Sequence, residues 1–410
     1  MLKLILTSRW CKWASRLFAL FLFLLAVTIA VMSVASVESS GPRSSSTRPA
    51  GVKDDDWPAR ESPAAPNITR TGPGPIDLGA YKCCRVLSLS KDDEHGVESF
   101  MLVTTTAPAA NAGQQGNAVL NGTTSVAGEP SDYRLTLENQ NLAFAQVMPA
   151  TKRAIGTLLY LGSIDVNSNG ETKMLQLARD RGWNVLACSI GMDYMAPERI
   201  VVDDHGSTRL ARRIDNHLAD RAYAMEALIA YVETHRSDLL VGPRVIVGMS
   251  AGAIALPTVA ARVGPVDAAV VIGGGENVAE IIADSPLFSQ HIELVDARLE
   301  ANPKGDRNVK LLPCENPKKR AEFVAAVLRK SKIDPRHAAA ALKGAPVIMV
   351  QAMYDDIVPA AAGQSMYESL DRPERWQYRT GHIGLTLLMP WKIDYVLDWM
   401  ATQTAREAAR

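Results

Sequence analysis

The chain lacks an excess of charge of either sign. Among its 410 residues, 44 lysines and arginines balance 44 aspartates and glutamates. Nucleic-acid-binding proteins usually carry a basic footprint, whereas basic residues here are spread along the chain, apart from a short cluster at residues 318–320. We therefore expect no nucleic-acid partner. The sequence also has no internal repeat, and its length fits one large globular domain with insertions and appended segments.

Cysteine is scarce, at five residues, and none stands where a lipoprotein attachment would need it. Cys11 belongs to the N-terminal segment, which stays in the cytoplasm or is removed. Cys188 lies in an apolar strand pattern, which predicts a buried thiol. Adjacent cysteines rarely bridge each other, so a disulfide between Cys314 and either Cys83 or Cys84 is one interpretation, although the sequence does not fix the connectivity.

Groups of metal ligands are scarce as well. The segment Asp203-Asp204-His205 resembles a metal-binding pair, but no further ligand lies near it in the sequence. A structural metal site needs about four protein ligands and a catalytic site about three. We therefore interpret this segment as a solvated loop and expect neither a metal nor another cofactor.

The N-terminus carries a marked apolar run. Basic residues precede the uncharged stretch 17–36, which at about 20 residues is long enough to span a bilayer. Trp10 and Trp13 stand where interfacial aromatic residues are found. Residues 33–35, Ser-Val-Ala, also form an acceptable cleavage site. Residues 1–37 are therefore predicted to be a transmembrane anchor or a cleaved signal peptide. Either reading predicts an exported protein: membrane-anchored with its main domain outside the cytoplasm, or periplasmic or secreted after cleavage.

A tether and then a single domain are predicted after this segment. Residues 38–75 are rich in Ser, Pro, Gly and Arg, which is typical of a disordered linker. The main domain is predicted at 76–410. Its first part, 76–150, contains strand patterns around a Gly-, Asn- and Ala-rich loop at 107–128, and should form a partly antiparallel sheet edge. These strand patterns fall at 85–89, 100–105, 133–137 and 142–147.

From residue 154 onward, strand and helix patterns alternate, which predicts a mainly parallel, doubly wound sheet with helices on both faces. Strands are predicted at 155–161, 183–190, 245–247, 268–272, 347–351 and 376–378, and helices at 171–181, 209–234, 253–261 and 393–399. Residues 276–344 interrupt this alternation, and a stretch of that length between strands predicts a cap or lid insertion. Its apolar pieces at 278–282, 320–329 and 338–342 predict a helical cap.

The pentapeptide Gly248-Met249-Ser250-Ala251-Gly252 follows a β-branched strand pattern and precedes a run of small, helix-tolerant residues. In that context Gly-x-Ser-x-Gly predicts a nucleophile elbow, where the serine sits on a strained strand-to-helix turn. The alternative is a glycine-rich turn with an incidental serine. A serine becomes a good nucleophile only beside a base that a third group orients.

An acid and a histidine follow later predicted strands. Asp355 comes just after the strand at 347–351, and His382 follows the last short strand. The carboxyl ends of parallel strands share one edge of the sheet, so Ser250, Asp355 and His382 are candidates for one site. Asp356 and Glu276 remain alternative acids.

In these three motifs the chain resembles the α/β-hydrolase family, over roughly residue 132 to the C-terminus. The resemblance implies an α/β-hydrolase fold with Ser250 as nucleophile, His382 as base and Asp355 as orienting acid. It also implies that the Ala251 amide binds the oxyanion, together with an amide from the loop after the strand at 155–161. Ser163 and Ile164 are the candidates there, although this loop departs from the His-Gly-rich loop of many lipases and esterases.

The function predicted from these residues is an exported serine hydrolase that cleaves a small-molecule carboxylic ester through an acyl-enzyme intermediate. A serine peptidase or amidase, or an acyltransferase, is possible on the same triad. A non-catalytic, membrane-tethered binding protein is the alternative of a different class. Four apolar residues of the insertion are candidates for an acyl site or for the core of the lid: Leu287, Phe288, Leu311 and Leu312.

Overall fold

The computed structural model describes residues 82–92, 96–106, 140–163, 169–190, 198–289, 291–301 and 307–408. The predicted membrane segment, the predicted linker, the loop at 107–128 and the strand expected at 133–137 lie outside these ranges. Within them, no helix combines the length and the apolar character that a membrane crossing requires.

Nine of the described strands form the main sheet. In chain order they are β1 (Lys82–Asp92), β2 (Val97–Thr106), β3 (Gln140–Met148), β4 (Gly156–Leu161), β5 (Trp183–Ile190), β7 (Arg244–Met249), β8 (Ala268–Ile272), β11 (Val347–Ala352) and β12 (Glu374–Tyr378). Their spatial order is β1-β2-β3-β5-β4-β7-β8-β11-β12. The pairs from β1 to β5 are antiparallel, and every pair from β5 to β12 is parallel.

The parallel strands are short apolar runs because both faces of the sheet are covered. Every residue of β4, β8 and β11 is buried. Their β-branched and leucine side chains pack into two separate cores, one on each face of the sheet. The sheet is therefore mainly parallel with an antiparallel edge, as the sequence predicts.

Helices cover both faces of this sheet. They are α1 (Asn169–Asp180), α2 (Asp204–His235), α3 (Ala251–Val263), α4 (Val278–Asp284), α5 (Pro286–Ser289), α6 (Pro317–Lys330), α7 (Pro335–Ala338), α8 (Ala360–Ser369) and α9 (His382–Ala408), with 3₁₀ turns at Ser237–Leu239 and Ala339–Leu342. Helices α1 and α9 pack together on one face, whereas α2 and α3 pack together on the other. The main sheet lies between these two layers of helices.

The insertion between β8 and β11 is not purely helical, and this corrects the prediction of a helical cap. It contains an antiparallel pair, β9 (Ile292–Ala301) and β10 (Arg307–Pro313), and β9 also pairs in parallel with β6 (Glu198–Val201). The result is a second, three-stranded sheet in the order β10-β9-β6. The charged residues of β9 and β10 hide the strand pattern, because they interrupt the apolar runs that mark the strands of the main sheet.

The two cysteines with described side chains are free thiols. Cys188 lies in β5 and is buried, as predicted, and burial raises the pKa of its thiol to about 12. Cys314 follows β10 and is also buried and free. The disulfide considered between Cys314 and Cys83 or Cys84 is therefore wrong. Cys314 instead packs as a small apolar side chain in the core beneath the insertion.

The segment Asp203-Asp204-His205 forms the start of α2 rather than a solvated loop. The Asp203 carboxylate accepts a hydrogen bond from the Gly206 amide at 2.7 Å, which makes Asp203 the N-cap of this 32-residue helix. Asp204 pairs with Lys330 at 2.6 Å. The acidic residues of this segment are thus explained by helix capping and an ion pair.

Candidate active site

Ser250 occupies the sharp turn between β7 and α3. Its backbone has φ 53° and ψ −117°, a left-handed conformation that a residue with a Cβ rarely adopts. The Ser250 amide donates to the Ile272 carbonyl at 2.8 Å, which ties the turn to the neighbouring strand β8. This strand–turn–helix geometry is that of a nucleophile elbow.

Both glycines of the motif are required by close backbone contacts. A Cβ on Gly248 would lie 2.7 Å from the Gly252 carbonyl oxygen, and a Cβ on Gly252 would lie 2.0 Å from the carbonyl oxygen of Leu161. Gly252 therefore lets the elbow press directly against the end of β4. The loop that follows β4 is brought beside Ser250 by the same contact.

The Asp355 carboxylate is held by the loop after β11. Its Oδ1 accepts hydrogen bonds from the backbone amides of Ile357 at 3.0 Å and Val358 at 2.7 Å. These bonds leave Oδ2 directed at the His382 ring. The local turn of the chain thus fixes the acid through two backbone amides.

His382 begins α9 and is buried between Asp355 and Ser250. Its Nδ1 lies 2.7 Å from Asp355 Oδ2, and its Nε2 lies 2.8 Å from Ser250 Oγ. Because an ionised carboxylate can only accept, Nδ1 carries the hydrogen and Nε2 is left to accept from the serine hydroxyl. The side chains of His382 and Asp355 are only 5% and 6% exposed, so water is largely kept from their hydrogen bond.

Of the three candidate acids, Asp355 is the one that bonds to the histidine ring. Asp356 is exposed, and it is Asp355 that contacts the ring. Glu276 is fully buried beside α8, where its carboxylate accepts hydrogen bonds from Ser365 and Ser369. Burial raises the pKa of Glu276. Glu276 therefore belongs to a separate buried network.

The Ala251 amide is the first of α3. The first amides of a helix have no partner within the helix, and they project from its N-terminus, the positive end of the helix dipole. At this position the Ala251 N–H lies directly after the serine, where a negatively charged oxygen bound to Ser250 would need a donor.

The Gly162–Ser163 peptide group after β4 is held at both of its polar atoms. The Arg221 guanidinium donates to the Gly162 carbonyl oxygen at 3.2 Å, and the Ser163 amide donates to Glu171 Oε1 at 3.2 Å. Arg221 comes from α2 and Glu171 from α1, so the two helices clamp one peptide plane from opposite faces of the sheet. We call Arg221 and Glu171 the peptide clamp.

The peptide clamp is deeply buried, with Arg221 and Glu171 each only 2% exposed. Burial, and next the adjacent Glu171 carboxylate, raise the pKa of Tyr160 well above its ordinary value. Neither clamp residue is predicted from the sequence. The available signal was weak: Arg221 is a charged residue within a helix whose neighbours Ala219, Ala222 and Ala224 are apolar and buried.

The clamp bears on the two loop residues predicted to bind an oxyanion. Ser163 already donates its amide hydrogen to Glu171, and Ile164 lies outside the described residues.

Of the four apolar residues predicted for an acyl site, Phe288 is buried and lines a cavity beside α3, whereas Leu311 is 37% exposed. Leu287 and Leu312 are half-buried and do not line that cavity.

The order of the sheet, the strained serine after β7 and the acid and histidine after later strands define the α/β-hydrolase fold. The resemblance predicted from the sequence is confirmed at the level of the fold.

Comparisons with known proteins give similar structures but no similar sequence. No protein-family model and no curated protein matches the chain. Among solved structures, the chain is similar to Est1E from Butyrivibrio proteoclasticus, with 13% identity over 65% of this chain and 96% of that chain and a TM-score of 0.41. It is also similar to the Pyrococcus furiosus esterase Pf2001, with 13% identity over 66% and 89% of the two chains and a TM-score of 0.40. A third is the Pyrococcus horikoshii acylaminoacyl peptidase, with 11% identity over 64% and 39% and a TM-score of 0.38.

Proposed function

We propose that this protein is a serine hydrolase that cleaves a carboxylic ester through an acyl-enzyme intermediate. The observation that carries the proposal is the continuous hydrogen-bond chain from Asp355 through His382 to Ser250, with distances of 2.7 and 2.8 Å. A structural histidine has no need of a strained serine at one ring nitrogen and a buried carboxylate at the other. Nucleophilic catalysis needs both.

In the proposed first half-reaction, Ser250 Oγ bonds to the ester carbonyl carbon while its proton moves to His382 Nε2. Asp355 holds the ring and stabilises the imidazolium that forms. When the tetrahedral intermediate collapses, the carbon–oxygen bond to the alcohol breaks and the alcohol takes the proton from His382. In the second half-reaction, His382 Nε2 takes a proton from a water molecule while the water oxygen bonds to the acyl carbon. The bond from that carbon to Ser250 Oγ then breaks, Oγ takes the proton back from His382, and the carboxylic acid leaves.

The negative oxygen of the intermediate requires at least one preorganised donor, and we assign that role to the Ala251 amide. The positive end of α3 supports the same charge. For the second donor, we assign the amide of Ile164, because the Ser163 amide is engaged by Glu171.

Replacement of Ser250 tests the proposal. With an activated ester such as p-nitrophenyl butyrate, Ser250→Ala should lower kcat by several orders of magnitude and abolish labelling by a fluorophosphonate probe. Ser365→Ala is a matched control, because Ser365 bonds Glu276 rather than His382, and it should retain turnover. Undiminished hydrolysis by a folded Ser250→Ala variant would refute the assignment.

We also propose that the chain is exported and that residues 17–36 anchor it in the membrane. Support comes from the basic flank and the uncharged apolar run. After an alkaline carbonate wash, the full-length protein should stay in the membrane pellet, and its catalytic domain should be cut by protease added outside the cells. A mature N-terminus near residue 36 would instead identify a cleaved signal.

A further inference from the structure

A small cavity of about 50 Å³ lies beside the first turn of α3, next to the proposed nucleophile. Ala251 and Ile254 of α3 form one part of its wall, and Ile214 of α2 forms another. Phe288 closes it from the insertion. Nine of its eleven described lining residues are apolar, so the cavity offers almost no hydrogen-bonding groups to a ligand.

The two polar residues in the wall, Arg213 and His217, already have partners within the protein. Arg213 forms an ion pair with Glu198 at the start of β6, and the Arg221 guanidinium donates to His217 Nε2 at 3.3 Å. Arg213 shares the Glu198 carboxylate with Arg209, so its guanidinium already has an ionic partner. A carboxylate or phosphate entering the cavity would lose its hydration against an apolar wall and would compete with Glu198 for Arg213.

The position of the cavity relates it to the reaction. Ala251 follows Ser250 directly, and Ile254 lies one helical turn further, with its amide bonded to the Ser250 carbonyl at 3.0 Å. Ala251 thus places one wall of the cavity directly beside the residue that would carry the acyl group.

We propose that this cavity binds the acyl part of the substrate, and that the acyl group is uncharged, apolar and several carbons long. The inference rests on the proposed ester hydrolysis and adds the substrate class. Each methylene buried there should raise kcat/KM by roughly fourfold, which corresponds to about 0.8 kcal/mol per buried CH₂. The rise should stop once the cavity is filled.

The test compares kcat/KM of the full chain on p-nitrophenyl acetate, butyrate, hexanoate and octanoate. The wild type should prefer a longer chain to acetate by at least tenfold. Ile214→Trp fills the cavity and should remove this preference while acetate turnover is retained. Val309→Trp, at a residue 61% exposed on β10, is the matched control and should keep the wild-type profile.

An ester with a charged acyl group provides a second test of the cavity. An ester of succinic acid with a free carboxylate should be cleaved at least tenfold more slowly than the butyrate ester. Fluorophosphonate labelling of Ile214→Trp should remain at the wild-type rate, which shows that the variant is folded and its serine active.

Two results would overturn the inference: a wild-type profile that is flat or highest for acetate, or an equal loss on all esters in Ile214→Trp with labelling retained. Failure of the proposed function itself differs from both, because then no ester is hydrolysed and Ser250 is not labelled. If Ile214→Trp does not fold, Ile214→Ala enlarges the cavity and should shift the preferred chain to a longer one.

Discussion

The peptide clamp shows how two buried charges can act on a single backbone group. Arg221 and Glu171 hold the oxygen and the nitrogen of the same peptide, Gly162–Ser163. A peptide group is planar, so fixing both atoms fixes the orientation of this peptide at the end of β4. Arg221 and Glu171 are therefore positioning residues for Gly162 and Ser163, which lie beside the elbow at Gly252.

We predict that Glu171→Ala lowers kcat by about tenfold to a hundredfold with a smaller change in KM, because the loop donor acts on the transition state more than on the bound ester. Glu171→Gln should restore most of this loss, since an amide oxygen can still accept from Ser163. Steady-state kinetics and the Kd of a boronic acid that mimics the tetrahedral intermediate measure the effect.

Glu226→Ala is the matched control for the loss of a carboxylate. Glu226 pairs with Arg262 at the far end of α3, and its side chain is 13% exposed. This variant should keep both kcat and boronic acid affinity. Equal losses of boronic acid and substrate affinity in Glu171→Ala would show that Glu171 stabilises the fold rather than positions the loop.

At the scale of elements, α2 connects the site to the insertion. It carries Arg221 of the clamp and Ile214 of the cavity wall, and its first turn contacts Lys330 of α6. The start of this helix is defined by the Asp203 cap. Loss of the cap should therefore lower the free energy of unfolding of the domain.

We predict that Asp203→Ala lowers the free energy of unfolding by about 1 kcal/mol, because the Gly206 amide loses its acceptor. Asp203→Asn keeps an acceptor oxygen and should lie within a few tenths of a kcal/mol of the wild type. Urea denaturation followed by circular dichroism measures both variants. A cap role is excluded if the two substitutions destabilise the protein equally.

The main sheet was accessible from the sequence, whereas the second sheet was not. The strands at 183–190 and 268–272 were predicted at their observed bounds because they are buried on both faces and therefore mostly apolar. Strands β6, β9 and β10 belong to a small sheet in which charged and apolar residues are mixed. Since β6 and β9 are far apart in the sequence, no local pattern indicates that they pair.

The residues of the candidate site also fall into two groups: those that the sequence predicts and those that it does not. Ser250, Asp355 and His382 each follow a strand, so their chain order predicts that they meet. The clamp and the cavity depend on which residues of α1, α2 and the insertion face one another across the fold. That is a property of tertiary packing, and single charged residues such as Arg221 do not reveal it.

For the whole molecule, buried thiol and phenol groups predict a loss of stability at alkaline pH. Burial raises the pKa of Cys188 from 9.0 to about 12, and that of Tyr378 from 10.0 to about 12. Between these values the folded protein keeps each proton and the unfolded chain loses it. The stabilisation is therefore fully present below pH 9 and is lost as the pH rises toward 12, by about 1.4 kcal/mol per pH unit for each group.

Between pH 10 and 11, Cys188→Ala should reduce the fall of the unfolding free energy by about 1.4 kcal/mol per pH unit, which corresponds to one proton. Urea denaturation in the presence of a reductant measures this change. Val185→Ala, a neighbouring fully buried position without a titrating group, should lower stability without changing the slope. The same slope in Cys188→Ala as in the wild type would show that this thiol does not contribute.

The left-handed backbone of Ser250 has a consequence for how the protein evolves. A non-glycine residue in such a conformation costs of the order of 1–3 kcal/mol. A lineage that no longer used the serine would gain that stability by accepting glycine at position 250, so drift would run against the present residue. Under the proposed function, this strain is the cost of placing the nucleophile, and Ser250→Gly should be the more robust scaffold for trapping an intact ester.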